Sequence, residues 1–150
     1  MNELFFSLTL LTSTALTDQI RANKPSIDPT LARSIATINA EMCQKYKVDC
    51  KLVTAIQMQE SGYRLNVVAG GDYGIMQVNE YNIKAYGLSK ERLLTDLSYS
   101  IENGVMILAY FKRWKRWEKK WWCRYNVGTG PLTKVRGGCN MYINRVERYL

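Results

Sequence analysis

Apolar residues recur at helical spacing along most of this chain, and one glycine-rich stretch interrupts them. Leu31, Ile35, Ile38 and Met42 make one stripe; Leu97, Ile101, Val105, Leu108 and Phe111 make another. Residues three and four apart share a helix face, so each stripe predicts a helix with one side turned to a core. Asp28-Pro29 suits the opening of the first helix, with a capping carboxylate before a proline in the first turn. A further helix is predicted from about Lys51 to Ser61, with Leu52, Val53 and Ile56 inward and Gly62 at its end. Gly70-Gly71 then reads as a turn, and Gly74 to Asn79 as a short strand or extended turn. Helical pattern resumes at Ser89, a capping residue. Trp114, Trp117, Trp121 and Trp122 are assigned to another helix or a helical extension. A loop at Gly128-Thr129-Gly130-Pro131 follows, with Gly137-Gly138 beyond it, and Met141 to Leu150 reads helical again. The expected fold class is mainly α, an α+β arrangement in which a compact helical domain carries a short irregular or β-like insert around residues 62–80.

A chain of 150 residues has the size of one domain and can bury a core. Lys and Arg outnumber Asp and Glu by 21 to 13, so the chain carries +8 and favours polyanionic partners. Its 47% hydrophobic and 23% charged residues are globular values, not those of a disordered chain. No apolar run reaches the roughly 18 residues of a membrane-spanning helix.

Histidine is absent. That excludes Ser-His-Asp and Cys-His catalysis and histidine metal sites together. Acid–base chemistry near neutral pH then falls to a tuned carboxylate, Lys, Tyr or Cys. The four cysteines, Cys43, Cys50, Cys123 and Cys139, lack the close pairs that zinc prefers, and no metal site is expected. An even count in a small chain suits an oxidising compartment. Three pairings are open; proximity in sequence favours Cys43–Cys50 and Cys123–Cys139.

Two readings of the N-terminus stand side by side. Leu4 to Leu16 is apolar with Ser and Thr mixed in, and Ser13 and Ala15 are small enough to precede a signal-peptidase cut. Residues 1–23 are therefore assigned as a leader or anchor and residues 24–150 as the domain. Met1-Asn2-Glu3 lacks the usual basic start, and the alternative is an N-terminal helix packed on the domain.

A Glu near the end of a buried helix is usually a solvated or ion-paired residue. Glu60 keeps other company. Glu60-Ser61-Gly62-Tyr63 is followed by Gly74-Ile75-Met76-Gln77-Val78-Asn79, then Tyr125-Asn126-Val127-Gly128, then Tyr142-Ile143-Asn144-Arg145-Val146. This series resembles the soluble lytic transglycosylase family of the lysozyme-like superfamily, over about Asp28 to Leu150. Ile75 stands where the family pattern has Leu, Arg124 where it has Ala. Ile101, Gly104 and Leu108 match a further spacing in which Ser100 replaces Asn. The short form most resembles the transglycosylases of specialised secretion and conjugation systems; phage virions use such domains too.

The resemblance implies cleavage of peptidoglycan glycan strands with no cofactor. Glu60 matches the general acid and base, Ser61 the neighbour that orients it, and Tyr142 a tyrosine beside the carboxyl. Gln77 and Asn126 match polar groups lining the sugar site. Gly74 and Gly128 match positions where backbone approaches the sugar, and Met76, Asn79 and Tyr125 complete the two binding blocks. Protonating a glycosidic oxygen needs an acid that holds its proton at neutral pH, which an apolar site favours. Tyr63, Met76 and Tyr142 are candidate walls. The family uses no second carboxylate: the substrate N-acetyl group and then its C6 hydroxyl close a 1,6-anhydro ring. Asp72 keeps a rival open. Asp72 to Asn79 also looks like the block that bears the second carboxylate of animal-type lysozymes, and with it water would complete hydrolysis. Otherwise Asp72 is a turn cap.

Lys112 to Arg124 interleaves basic residues with tryptophan. Read plainly, its tryptophans enter the core and its cations form a solvated face. Attraction to an anionic envelope or membrane surface comes next; nucleic acid, for which no specific signal exists, and sugar-stacking by one tryptophan are also open. A non-catalytic basic envelope- or nucleic-acid-binding module is the reading from another class; the four blocks argue against it. The location expected for such an enzyme is secreted or periplasmic, associated with the envelope.

Overall fold

The computed structural model describes residues 3–150 of the chain, without the side chains of residues 3–11 and 132–134. Met1 and Asn2, the start of the assigned leader, lie outside the described residues. Helices dominate, as the sequence predicts: α1 (Glu3–Asn23), α2 (Pro29–Tyr46) and α3 (Cys50–Ser61) precede the insert. Three two-residue strands follow, β1 (Val68–Ala69), β2 (Asp72–Tyr73) and β3 (Val78–Asn79), antiparallel in the order β1-β2-β3. Then come α4 (Glu80–Tyr86), α5 (Lys90–Thr95), α6 (Leu97–Trp114), a 3-10 turn at Trp121–Cys123, α7 (Arg124–Val127) and α8 (Leu132–Val146).

Local chemistry sets these boundaries. Asp28 caps α2 by accepting from Leu31 N, with Pro29 at the first position. Asp49 caps α3, and Gly62 ends it with left-handed φ of 60°. Ser89 caps α5, but helix resumes one element earlier, in α4, where Asn79 accepts from Asn82 N.

The α2 face differs from the predicted stripe. Ala32, Ile35, Ala36, Asn39, Ala40 and Cys43 are buried, while Leu31 is 37% exposed. What turns the helix is a polar pair in the core. Asn39 Nδ2 donates to Gln57 Oε1 at 2.8 Å, and Gln57 Nε2 returns a bond to Asn39 Oδ1 at 2.7 Å. Both side chains are fully buried, so each must find its partner.

α1 contributes Leu16 and Ile20 to this core. Gln19 and Asn23 donate to the carbonyl of Tyr149 near the chain's end, and Asn23 also to the Tyr63 hydroxyl. Removing residues 1–23 as a leader would take all four away.

The tryptophan segment breaks the expected helix. α6 ends at Trp114, and Glu118 N and Trp121 N close turns onto Lys115 O and Glu118 O. Arg124, 1% exposed, explains the fold-back: it grips Glu118 through Nε and Nη2 at 2.9 and 2.8 Å, and reaches Gly130 O at 2.6 Å. Only part of the segment goes inward. Trp122 is 6% exposed, but Trp117 is 84% exposed and Trp114 43%. Gly137 and Gly138, placed after a loop by sequence, lie inside α8.

Cys123 and Cys139 come together with Cα atoms 5.1 Å apart, inside the disulfide range. The favoured Cys43–Cys50 pairing is not formed as a disulfide: both are free thiols that hydrogen-bond one another, with the Cys50 sulfur also 3.8 Å from Asn39 O.

Gly104 marks where α6 meets the insert. A Cβ there would fall 2.5 Å from Met76 Sδ and 2.6 Å from Met76 Cβ. Gly104→Ala should therefore cost about 1–3 kcal/mol by overpacking; an unchanged thermal midpoint would contradict the close approach. Denaturing alkylation with intact-mass measurement should find Cys123 and Cys139 joined and Cys43 and Cys50 free. Closing a loop of this length is worth about 3 kcal/mol, so Cys139→Ser should unfold at lower denaturant. Four alkylated thiols in oxidised material would overturn the pairing.

Candidate active site

The last turn of α3 presents Glu60 toward α7 and α8. Tyr142 Oη donates to Glu60 Oε1 at 2.6 Å, across 82 residues of sequence. Tyr142 is itself 3% exposed and rests against Trp122, ring centroids 6.2 Å apart. The surroundings push the Glu60 carboxyl up to about 7. Burial is the main cause, because it penalises the charged form; the Asp72 charge adds to it, and the Tyr142 hydrogen bond opposes it. Burial likewise raises the Asp72 carboxyl. It also holds the Tyr125 and Tyr142 hydroxyls well above their ordinary range, helped by the Glu60 charge. Glu60, Asp72, Tyr125 and Tyr142 thus share one electrostatic environment.

The irregular backbone at 74–77 is held on three sides. Ser61 Oγ donates to Ile75 O at 2.7 Å; Ile75 N donates to Ser100 Oγ at 3.3 Å; Tyr125 Oη donates to Met76 O at 2.8 Å. Ser61, matched to a residue that orients Glu60, is spent on pinning the end of α3 to this segment.

The remaining predicted residues divide between site and scaffold. Met76 is fully buried and packs under Gly104; only its carbonyl takes part in the site framework. Gln77 has φ of 50°, and its amide nitrogen donates to Val67 O and Gly74 O, which closes the loop on itself. Asn79 is the α4 cap. Gly74 is demanded by packing: a Cβ would sit 2.4 Å from both Leu93 O and Ser100 Oγ. Gly128 is demanded by its backbone, φ 72° and ψ −155°, which other residues scarcely adopt, with open space where a Cβ would go. Asn126 is exposed on α7. Tyr63 departs from its expected role as a wall. It is turned into the core toward Asn23, and burial pushes its hydroxyl up to about 12.

Two participants were not singled out from sequence. Trp122 backs Tyr142, and its only signal is its place beside Cys123. Ser100 departs from the family spacing, which has Asn there, and its hydroxyl supplies the acceptor for Ile75 N.

The chemistry open to this arrangement is that of an acid able to hold its proton at neutral pH and a carboxylate able to take one back. A family model described as a transglycosylase SLT domain matches residues 37–140. Among curated proteins, the X polypeptide of Escherichia coli is 39% identical over 78 residues, 46% of this chain and 46% of its own length. Protein IpgF of Shigella flexneri is 32% identical over 101 residues, 61% of this chain and 65% of its own. The chain thus aligns with about half to two thirds of these relatives' lengths. No solved structure matches it significantly. The family match spans well over half of the sequence and contains Glu60, Ser61, the 74–79 block and Tyr125 to Gly128, and the chain belongs to the transglycosylase SLT domain family.

Proposed function

We propose that this protein is a peptidoglycan lytic transglycosylase that cleaves the β-1,4 bond between N-acetylmuramic acid and N-acetylglucosamine with Glu60 as acid and base. The observation that carries the reading is the Glu60 carboxyl, raised to about 7 by burial and held by Tyr142 in a chain without histidine. Protonated Glu60 gives its proton to the glycosidic oxygen as the C1–O bond breaks. The substrate's N-acetyl oxygen attacks C1. The resulting Glu60 carboxylate takes the proton of the C6 hydroxyl, whose oxygen closes on C1 and expels the N-acetyl oxygen. No water is consumed, and Glu60 ends protonated. Tyr142 steadies the carboxylate between the two proton transfers.

One observation favours a second reading. Asp72 is near enough for its charge to act on Glu60, so hydrolysis with Asp72 as second carboxylate is the rival. Proximity supports the first, because a hydroxyl already held at the reacting carbon outcompetes water. Location follows the substrate: secreted or periplasmic, with a secretion, conjugation or virion assembly as the setting. If a leader is removed, the cut belongs near Ser13-Thr14-Ala15, just before Leu16 enters the core.

Mass analysis of products from purified sacculi decides between the routes. Muropeptides should be one water lighter than hydrolytic products and lack a reducible end. Asp72→Asn should keep substantial activity, while Glu60→Gln should lose nearly all. Reducible muramic ends, together with an inactive Asp72→Asn, would assign the protein to the hydrolases.

The pH profile tests Glu60 separately. The free enzyme is competent with Glu60 protonated, so kcat/KM should fall as pH rises through about 7. The Tyr142 hydrogen bond lowers the Glu60 pKa, so Tyr142→Phe should reduce kcat and move this alkaline limb to higher pH. A limb that stays in place would remove Tyr142 from contact with the titrating group.

A further inference from the structure

The C-terminal ends of α2 and α6 meet on one side of the molecule, and cations collect there. Lys45, Lys47, Lys112, Arg113 and Arg116 surround a cavity of about 490 Å³ floored by Tyr46 and Ala109. Helix C-termini attract cations by themselves, and Lys112 Nζ donates to Lys47 O in that way. This accounts for Lys112 alone. Lys45 is answered by Glu102. Among the described residues, no carboxylate pairs with Lys47, Lys112, Arg113 or Arg116. Four such cations around one hollow repel one another and lower their energy by meeting anions.

Aromatic residues adjoin this corner. Trp117 is 84% exposed, Trp114 43% and Tyr110 39%. The Trp114 ring stacks on Tyr110 at 6.3 Å, interplanar angle 19°, and Lys115 lies 3.9 Å from its centroid. Arg116 lies 4.5 Å over Trp117. Tyr110 meets one face of Trp114, and a cation lies over each of the two tryptophans. Trp117 keeps most of its ring open to solvent, beside a positive charge. Amphipathic rings flanked by Lys and Arg suit the boundary between lipid headgroups and acyl chains.

We propose that this surface, Tyr110 to Trp117 with the Lys45–Lys47 corner, docks the protein on a bilayer of anionic phospholipid. The cations meet headgroup phosphates, and Trp117 enters the interface. No helix among the described residues is long and apolar enough to cross a membrane, so the contact is peripheral. The surface lies away from the framework that holds Glu60. Gly104 backs Met76 in the site framework, and Trp114 lies ten residues further along α6, about 15 Å at 1.5 Å per residue. Docking is independent of the reaction assigned to Glu60, and each can fail without the other.

Cosedimentation of the 150-residue chain with phosphatidylcholine vesicles, with and without phosphatidylglycerol, tests the proposal. The chain should bind only the phosphatidylglycerol vesicles, and less as salt rises. Each basic side chain near an anionic surface contributes about 1 kcal/mol, so Arg113→Gln with Arg116→Gln should weaken partitioning roughly thirtyfold. Trp117→Ala should weaken it too and abolish the vesicle-induced blue shift of tryptophan emission. All three residues are exposed, so cleavage of soluble glycan fragments should not change, which also checks folding. Indifference to phosphatidylglycerol, or variants that bind like the parent, would overturn the proposal. So would retention by single-stranded DNA or sacculi in place of vesicles, which would assign the surface to those polymers.

Discussion

The geometry of the site depends on how one buried peptide is satisfied. Ile75 is fully buried in a segment that has neither helix nor ladder to absorb its N–H and C=O. Buried backbone groups must be paired. Ser61 at the end of α3 supplies the donor and Ser100 in the first turn of α6 the acceptor. These two hydroxyls clamp the insert between α3 and α6. The neighbouring Met76 then sits against Gly104, and its carbonyl receives the Tyr125 hydroxyl from α7. Four elements are thereby referred to one another at the point where α3 delivers Glu60. A change at Ser61 or Ser100 would reach the acid through this clamp, although neither hydroxyl bonds to it.

Holding Glu60 this way costs stability. Its pKa stands at about 7 in the folded chain against an ordinary 4.5. A carboxyl with a raised folded value is stabilising in its protonated state relative to its ionised one. That contribution is complete below about 4.5 and is lost as pH rises through about 7. The difference is on the order of 3 kcal/mol, a sizeable part of what a domain of this size has to spare. The Tyr142 bond recovers some of it by favouring the ionised form. By favouring the ionised form, the same bond also makes the carboxylate available to accept a proton, as the proposed reaction requires.

Legibility in the sequence followed the range of the forces involved. Helix starts at Pro29 and Lys90 are set by caps one residue away, and both caps are readable; the Asp49 cap that starts a helix at Cys50 is the same signal, not used in the reading that begins near Lys51. The position of Glu60 and the order of the blocks were readable for the same reason: short spacings fix them. The face of α2 was not, because Asn39 and Gln57 are buried by each other and neither periodicity nor hydropathy marks such a pair. The end of α6 was missed because Arg124 pulls Glu118 back across six residues, and an arginine in a basic run gives no sign that it will be the buried one. Gly74 and Met76 match a substrate block, but Met76 reads first as packing and Gly74 also as a turn; packing against α5 and α6 requires both.

The far side of the site is assembled by α8, whose sequence is poorly suited to helix. Gly137 and Gly138 lie side by side within it, and each glycine costs close to 1 kcal/mol relative to alanine. Gly138 has a local reason, since a Cβ there would come within 3.1 Å of Val127 in α7. What holds the helix in place is its attachment to the turn before α7. Cys139 meets Cys123 immediately after the glycines, and Tyr142, three residues and nearly one turn later, lies on the same face. There it packs on Trp122, the residue next to Cys123. Sulfur pair and aromatic pair thus fix a single helical turn at both ends, and the hydroxyl that reaches Glu60 projects from that turn. A helix that its own sequence would leave loose is made rigid where Tyr142 meets Glu60, and Gly138, one of the two glycines that weaken it, allows the close approach to Val127 of α7, the helix that carries Tyr125.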